Sequence, residues 1–218
     1  MKVFQNADGG TNFSIREYDI AKTTKVMPGQ VVQISQGLVT PAVAGQTGAV
    51  LGIAAEAHSG TPDALNIRSN GERILIYDNP GLMFRCMAPK MTATGGTATS
   101  VTANTLAAFA ADDFKGGFLM LIKKGAGSGN KDPEGKVRRI TGYAYNSTGT
   151  VSTFTLESGA AAGAGDEFLV FPPVGFAKGN LSVSLDSLVL TGTASLALKV
   201  VGRTGVDIIM MAGSHTLA

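Results

Sequence analysis

The spacing at which glycine and proline interrupt the apolar runs constrains this fold most. Between Gly29 and Ala55 the chain reads GQVVQISQGLVTPAVAGQTGAVLGIAA. Its clusters of Val, Ile and Leu are stopped by turn residues before a helix could form. Such runs are the sequence form of a β-meander, and Gly37, Gly45 and Gly48 sit where the backbone needs positive φ to reverse. The pattern predicts strands over 31–34, 38–43 and 50–54.

The same punctuation continues to the C-terminus. Residues 73–77 (RILIY) and 82–87 (LMFRCM) flank the turn Asp78-Asn79-Pro80-Gly81, which predicts a hairpin. In its return strand Leu82, Phe84 and Cys86 share the face expected to be buried, and Met83, Arg85 and Met87 the other. Composition shifts near Met91 to a Thr- and Gly-rich tract. Residues 106–114 (LAAFAADDF) read either as a short helix or as a strand end with an acidic turn. Alternating strands follow over 118–123, 138–145, 153–156 and 166–171, with Gly125–Gly135 as a long exposed hairpin loop. In the last third, Leu181, Val183 and Leu185 are out of phase with Leu188 and Leu190, which implies a bulge or turn near Asp186. Strands around 196–200 and 206–211 close the chain, with a turn over 202–205. No segment carries an amphipathic helical stripe, so the expected class is all-β, sandwich or barrel.

The N-terminal segment holds spaced apolar residues, Phe4, Phe13, Ile15, Tyr18 and Ile20, on a polar strip. It reads equally as an edge strand with a loop or as an arm laid along a neighbouring subunit. The domain reading is an arm over 1–22, a first β-domain over 23–90 with 176–218, and an inserted second β-domain over 91–175.

Composition narrows the function. Charged residues are 16% of the 218, against about 25% in an average soluble protein, which suits a surface covered by other molecules. The net charge is +2. The basic clusters, Lys123 with Lys124 and Lys136 with Arg138 and Arg139, lack the interleaved aromatics of a single-strand-binding surface. Cys86 is the one cysteine and reads as a small core residue. The first residues show no apolar leader, and no run approaches the ~20 apolar residues of a membrane helix. Three sequons, at Asn12, Asn146 and Asn180, read as chance matches without secretion.

No catalytic constellation emerges. The glycines before Lys131 miss the spacing of a phosphate loop, and Asp132-Pro133 follows where a helix would have to start. His58 and His215 are the only histidines and read as solvated loop residues, too few to complete a zinc site. Asp112-Asp113 and Asp166-Glu167 are adjacent acids, which on a strand face opposite ways and in a turn face water. Asp63 and Asp78 read as turn markers. No nucleophile elbow is present. The expectation is no enzyme activity and no cofactor.

Two segments carry a resemblance. Gly29-Gln-Val-Val through Leu51-Gly-Ile-Ala54, with 73–84, resembles the meander of the capsid decoration, or cement, proteins of tailed bacteriophages. Residues 109–173 resemble a β-module of phage structural proteins. The marks there are Ala111-Asp-Asp-Phe-Lys-Gly-Gly-Phe118, Gly135-Lys-Val-Arg-Arg-Ile-Thr-Gly-Tyr143, Phe154-Thr-Leu156 and Gly165-Asp-Glu-Phe-Leu-Val-Phe-Pro-Pro173. The family's smallest members are little more than the first barrel, so the second module would be an addition here. The resemblance implies two small β-barrel or sandwich domains with an extended N-terminal arm. It also implies a virion protein made in the host cytoplasm that stabilises the outer surface of an icosahedral head. Its partners would be the major capsid protein and itself, as a homotrimer, with no direct nucleic acid and no membrane. Candidate interface residues are Phe4, Phe13, Ile15, Tyr18, Met83, Met87, Met210 and Met211, the methionines reading also as core. The alternative is a head-fibre or tail adhesion or carbohydrate-binding module, with Gly125–Gly135 as its ligand loop and Tyr143 and Tyr145 stacking on sugars.

Overall fold

The computed structural model describes residues 2–6, 14–42, 50–59, 73–79, 81–104, 109–177, 179–181, 188–190 and 198–212. Among these residues there is no helix, and the chain is all-β. The strands, in chain order, begin with β1 (Lys2–Asn6), β2 (Ile15–Asp19), β3 (Lys25–Val26), β4 (Val31–Ser35), β5 (Leu38–Pro41), β6 (Gly52–Ala54) and β7 (His58–Ser59). Next are β8 (Arg73–Tyr77), β9 (Leu82–Met87), β10 (Lys90–Thr92), β11 (Gly95–Thr97), β12 (Ser100–Ala103) and β13 (Phe118–Lys123). The last are β14 (Val137–Asn146), β15 (Val151–Leu156), β16 (Glu167–Phe171), β17 (Gly179–Leu181), β18 (Leu188–Leu190), β19 (Leu198–Thr204) and β20 (Asp207–Ala212). They form antiparallel sheets of sandwich-like arrangement, none of them a closed barrel.

The five-stranded sheet has the order β2-β8-β6-β4-β5. Here the expected meander is rearranged. β6 pairs with β4 rather than with β5, so β4 is the inner strand of the three. Val31 and Val32 at its start point to opposite faces and both are fully buried, Val31 in the larger core and Val32 in this sheet's own. Gly37 makes the predicted β4–β5 turn at φ 81°, while Gly45 and Gly48 lie outside the described residues. A parallel bridge from Ile20 to Val39 draws the end of β2 back to β5. The sheet therefore curls around Ile20, Val26, Val32, Val39, Leu51, Ala54, Ile74 and Ile76.

The hairpin expected between 73–77 and 82–87 does not form. β8 stays in the five-stranded sheet beside β2 and β6, and β9 crosses to a four-stranded sheet of order β1-β9-β20-β19. The reason lies at the turn. Asp78 is buried and holds the Tyr18 hydroxyl at 2.6 Å and Arg16 Nε at 3.3 Å, and Asn79 Oδ1 accepts from Ser14 N at 2.7 Å. These groups fasten the corner to β2 instead of folding it into a reversal. Cys86 is buried as expected and Met87 is exposed on the opposite face.

The N-terminal segment contains two strands. β1 pairs with β9 and β2 with β8, both within the same chain. β2 suits an edge, since Arg16, Glu17 and Asp19 are exposed there and charged edges resist pairing with other chains.

The seven-stranded sheet, order β10-β16-β13-β14-β15-β12-β11, draws every strand from residues 90–171. Its two outermost strands, β10 and β11, are separated in sequence only by Ala93 and Thr94. The sheet must therefore roll until its two sides meet in one kinked segment. A bulge in β14 between Ile140 and Gly142 supplies the bend. Inside lie Met91, Val101, Leu119, Leu121, Ile140, Tyr143 and Phe154, all buried. Phe114 packs edge-on to Tyr143 and Phe154 at 4.9 and 5.3 Å between ring centroids. In β16 every residue after Glu167 is buried, because Phe168 and Val170 face one way and Leu169 and Phe171 the other. The core around this sheet is continuous with Val31 and Ile53 of the five-stranded sheet and with Cys86, Val200, Ile208 and Met210 of the four-stranded one.

The open choice over 106–114 falls partly outside the described residues. Residues 111–116 are turns, with Asp112 at φ 61°. The phase change near Asp186 lies outside the described residues, although β17 and β18 on either side of it do pair. The turn expected over 202–205 falls later, at Gly205 and Val206, because β19 runs on to Thr204.

Candidate interaction site

Several residues singled out for chemistry are tied up in structure. Asp166 is fully buried rather than solvated. Its carboxylate accepts from Gly125 N (2.9 Å), Asn130 Nδ2 (2.8 Å) and Gly163 N (3.0 Å). Burial would raise its pKa, but the hydrogen bonds from Ser128, Gly125, Asn130 and Gly163 outweigh that and leave it below the usual carboxylate range. The same bonds tie Gly125 and Asn130 of the 125–135 loop to the loop over 158–165, while most of the 125–135 loop is exposed as expected. Glu167, next in sequence, instead pairs with Lys90 Nζ at 2.7 Å.

Arg138 leaves the expected basic cluster. It is 6% exposed and donates to the carbonyls of Glu157, Ala160 and Ala98, with Asp132 at 3.9 Å. His58 is buried, not solvated, with Nδ1 2.6 Å from Thr24 O. His215 and Asp63 lie outside the described residues. Tyr143 is buried with its hydroxyl 2.9 Å from Ser152 Oγ, so it offers no sugar-stacking face. Among the described residues no group of three or more His, Cys, Asp or Glu could hold a metal ion, and no helix is long and apolar enough to cross a membrane.

The open feature is a groove where the four-stranded sheet meets the outer face of the rolled sheet. Its volume is about 240 Å³, and its walls are Phe118, Phe171 and Pro172–Val174 on one side and Val200, Arg203 and Ile208 on the other. Each wall follows from register. Phe118 pairs with Phe171, so both rings stand on one face. In β19 a bulge between Val200 and Gly202 changes the alternation. Val200 opposes Met210 and Arg203 opposes Ile208, and these partners share a face, so Val200 and Arg203 do as well. The bulge thus aims Arg203 across the groove, its guanidinium carbon 4.3 Å from the centre of the Phe118 ring and 5.6 Å from that of Phe171. Simple alternation places Val200 and Arg203 on opposite faces, so the sequence alone hides this pairing. β19 is held in place on its outer side by Gly175 N to Val200 O and Val200 N to Phe176 O, at 2.7 and 3.0 Å.

Three apolar side chains beside turns are exposed. Val174 is 74% exposed, Val206 48% and Met87 46%. Val206 O accepts from Ala88 N, which brings the β19–β20 turn beside Met87. Of the sequence candidates, Met87 is exposed, on the face of β9 opposite the one that Cys86 shares with Ile208. Met83 and Met211 are half-buried and paired across β9 and β20. Met210 lies in the core at 1% exposed and presents nothing to a partner. Ile15 is exposed on β2, 47%, and Tyr18 is engaged with Asp78. The backbone of Phe4 runs in β1, and Phe13 lies outside the described residues. Val174, Val206 and Arg203 were missed because single residues beside turns carry no periodic signal. No protein-family model, curated protein or solved structure matches the chain.

Proposed function

We propose that the chain is a virion structural protein that decorates and stabilises the outer surface of an icosahedral phage head. It bridges neighbouring capsomers as a homotrimer, with the major capsid protein and its own copies as partners. It is made in the host cytoplasm and works without catalysis, cofactor, nucleic acid or membrane. The reading starts from the order of the turn and strand motifs. The observation that carries it furthest is the exposure of Met87, Val174 and Val206 in a chain with so few charges. A modest contact per subunit becomes strong when three are linked, because the later contacts are then intramolecular.

The test is to add the purified protein to expanded, undecorated heads and to follow their disruption temperature. A rise that saturates supports the proposal, and no change at saturating protein refutes it. Against the adhesion or carbohydrate-binding alternative, Tyr143 is buried with its hydroxyl beside Ser152.

A further inference from the structure

We infer that the groove beneath Arg203 is a docking site for an extended protein segment that carries a large apolar side chain beside a carboxylate. The inference stands on the groove alone and holds whether or not the chain sits on a head. Three observations carry it.

The first is size. About 240 Å³ falls below the ~300–1,000 Å³ typical of sites that enclose a small molecule, yet admits one or two apolar side chains. Val174, at 74% exposed, stands at its edge, so the groove is open to a segment passing along it. The second is lining. Phe118, Phe171, Pro172, Val200 and Ile208 offer no hydrogen-bonding side chain, so what enters must be apolar.

The third is charge. Arg203 lies over Phe118, and Arg139 is the cross-strand neighbour of Phe118 in the β13–β14 pair, on the same face of the sheet. Among the described residues neither has an acidic partner, whereas Arg16, Arg73, Arg85 and Arg138 all do. A guanidinium over a ring still has N–H groups to offer a carboxylate. The partner segment therefore places an aspartate, glutamate or chain-terminal carboxylate next to its apolar anchor.

The probe is a blocked hexapeptide with phenylalanine and leucine at its centre and aspartates flanking them. Its counterpart carries lysines in place of the aspartates. Methyl resonances of Val174, Val200 and Ile208 are followed during titration of the full chain. The aspartate peptide is expected to shift those methyls and to bind about tenfold more tightly than the lysine peptide, as loss of a charge-assisted hydrogen bond implies. Arg203→Glu is expected to reverse that preference. Val174→Asp, at an exposed position, is expected to weaken the aspartate peptide while leaving the fold intact by far-ultraviolet circular dichroism.

Equal binding of both peptides, or shifts confined to other parts of the molecule, overturns the inference. So does equally tight binding of 4-phenylbutyrate, which would make this a small-molecule site. Broadening of the same methyls with protein concentration in the absence of peptide also overturns it, because a second copy would then be the occupant.

Discussion

The rolled seven-stranded sheet buries the larger, aromatic interior and the curled five-stranded sheet a smaller aliphatic one, and the two treat polar groups in opposite ways. The five-stranded sheet closes over aliphatic side chains from Ile20 to Ile76. Its polar tie, Arg16 and Tyr18 on Asp78, sits at an edge strand, with Arg16 exposed to water. The rolled sheet closes over aromatic rings, and its loops turn inward. Their backbone groups would be stranded without partners, and a buried cation and a buried anion satisfy them. Arg138 gathers the carbonyls of 98, 157 and 160, and Asp166 gathers the amides of 125 and 163. A rolled sheet thus depends on charge at its ends, while a curled one needs only a packed stripe.

The largest effect expected is at the centre of the rolled sheet. Phe114→Ala removes a fully buried ring and should cost about 4 kcal/mol in urea unfolding. A loss under about 1 kcal/mol would mean that the aromatic interior is not what holds this sheet. Arg138→Met should cost about 3 kcal/mol, since it keeps the bulk but leaves buried carbonyls unpaired. That value sharpens the comparison directly, because the corresponding change in the five-stranded sheet should be much milder.

Asp166→Asn should cost about 2 kcal/mol at neutral pH by exchanging a charged acceptor for a neutral one. The pH dependence has a definite sign. The folded-state pKa of Asp166 lies below its unfolded value, so its contribution is complete above about pH 4 and is lost as pH falls through the folded pKa. The acid limb of the wild-type stability curve should therefore be steeper than that of the variant. Parallel limbs would show that Asp166 is not the charge holding the loops.

The smallest effect belongs to the five-stranded sheet. Tyr18→Phe should cost about 1 kcal/mol, one partly exposed hydrogen bond. Burial, then the bond to Asp78 and its charge, push the Tyr18 pKa up to about 12. Its contribution is present below about pH 10 and fades as pH rises through 12, which an ultraviolet titration of the phenol reads directly. If this variant costs as much as Arg138→Met, the contrast between the two sheets fails.

The sequence carries the local elements well and their partners poorly. The runs at 31–34, 73–77 and 118–123 are strands because β-branched and aromatic side chains between turn residues admit little else. Pairing is not written in the runs themselves. β4 sends Val31 into one core and Val32 into the other, and β8 and β9 parted at Asp78 because its carboxylate found Tyr18 and Arg16 across the fold. Adjacent acids and a basic cluster suggested solvated faces, yet Asp166 and Arg138 point inward. A buried charge is identified by distant backbone groups, which no short motif contains. The groove was hidden for a related reason. One extra residue in β19 turns Arg203 toward Phe118, and a bulge leaves no mark in an alternating pattern.

The proposal of head decoration rests most directly on stoichiometric binding to the shell. Expanded heads titrated with the purified chain and sedimented should carry it to saturation at a fixed number of copies per capsomer junction, with none retained on unexpanded precursors. Protein left wholly in the supernatant, or bound without saturation to both kinds of particle, would contradict it.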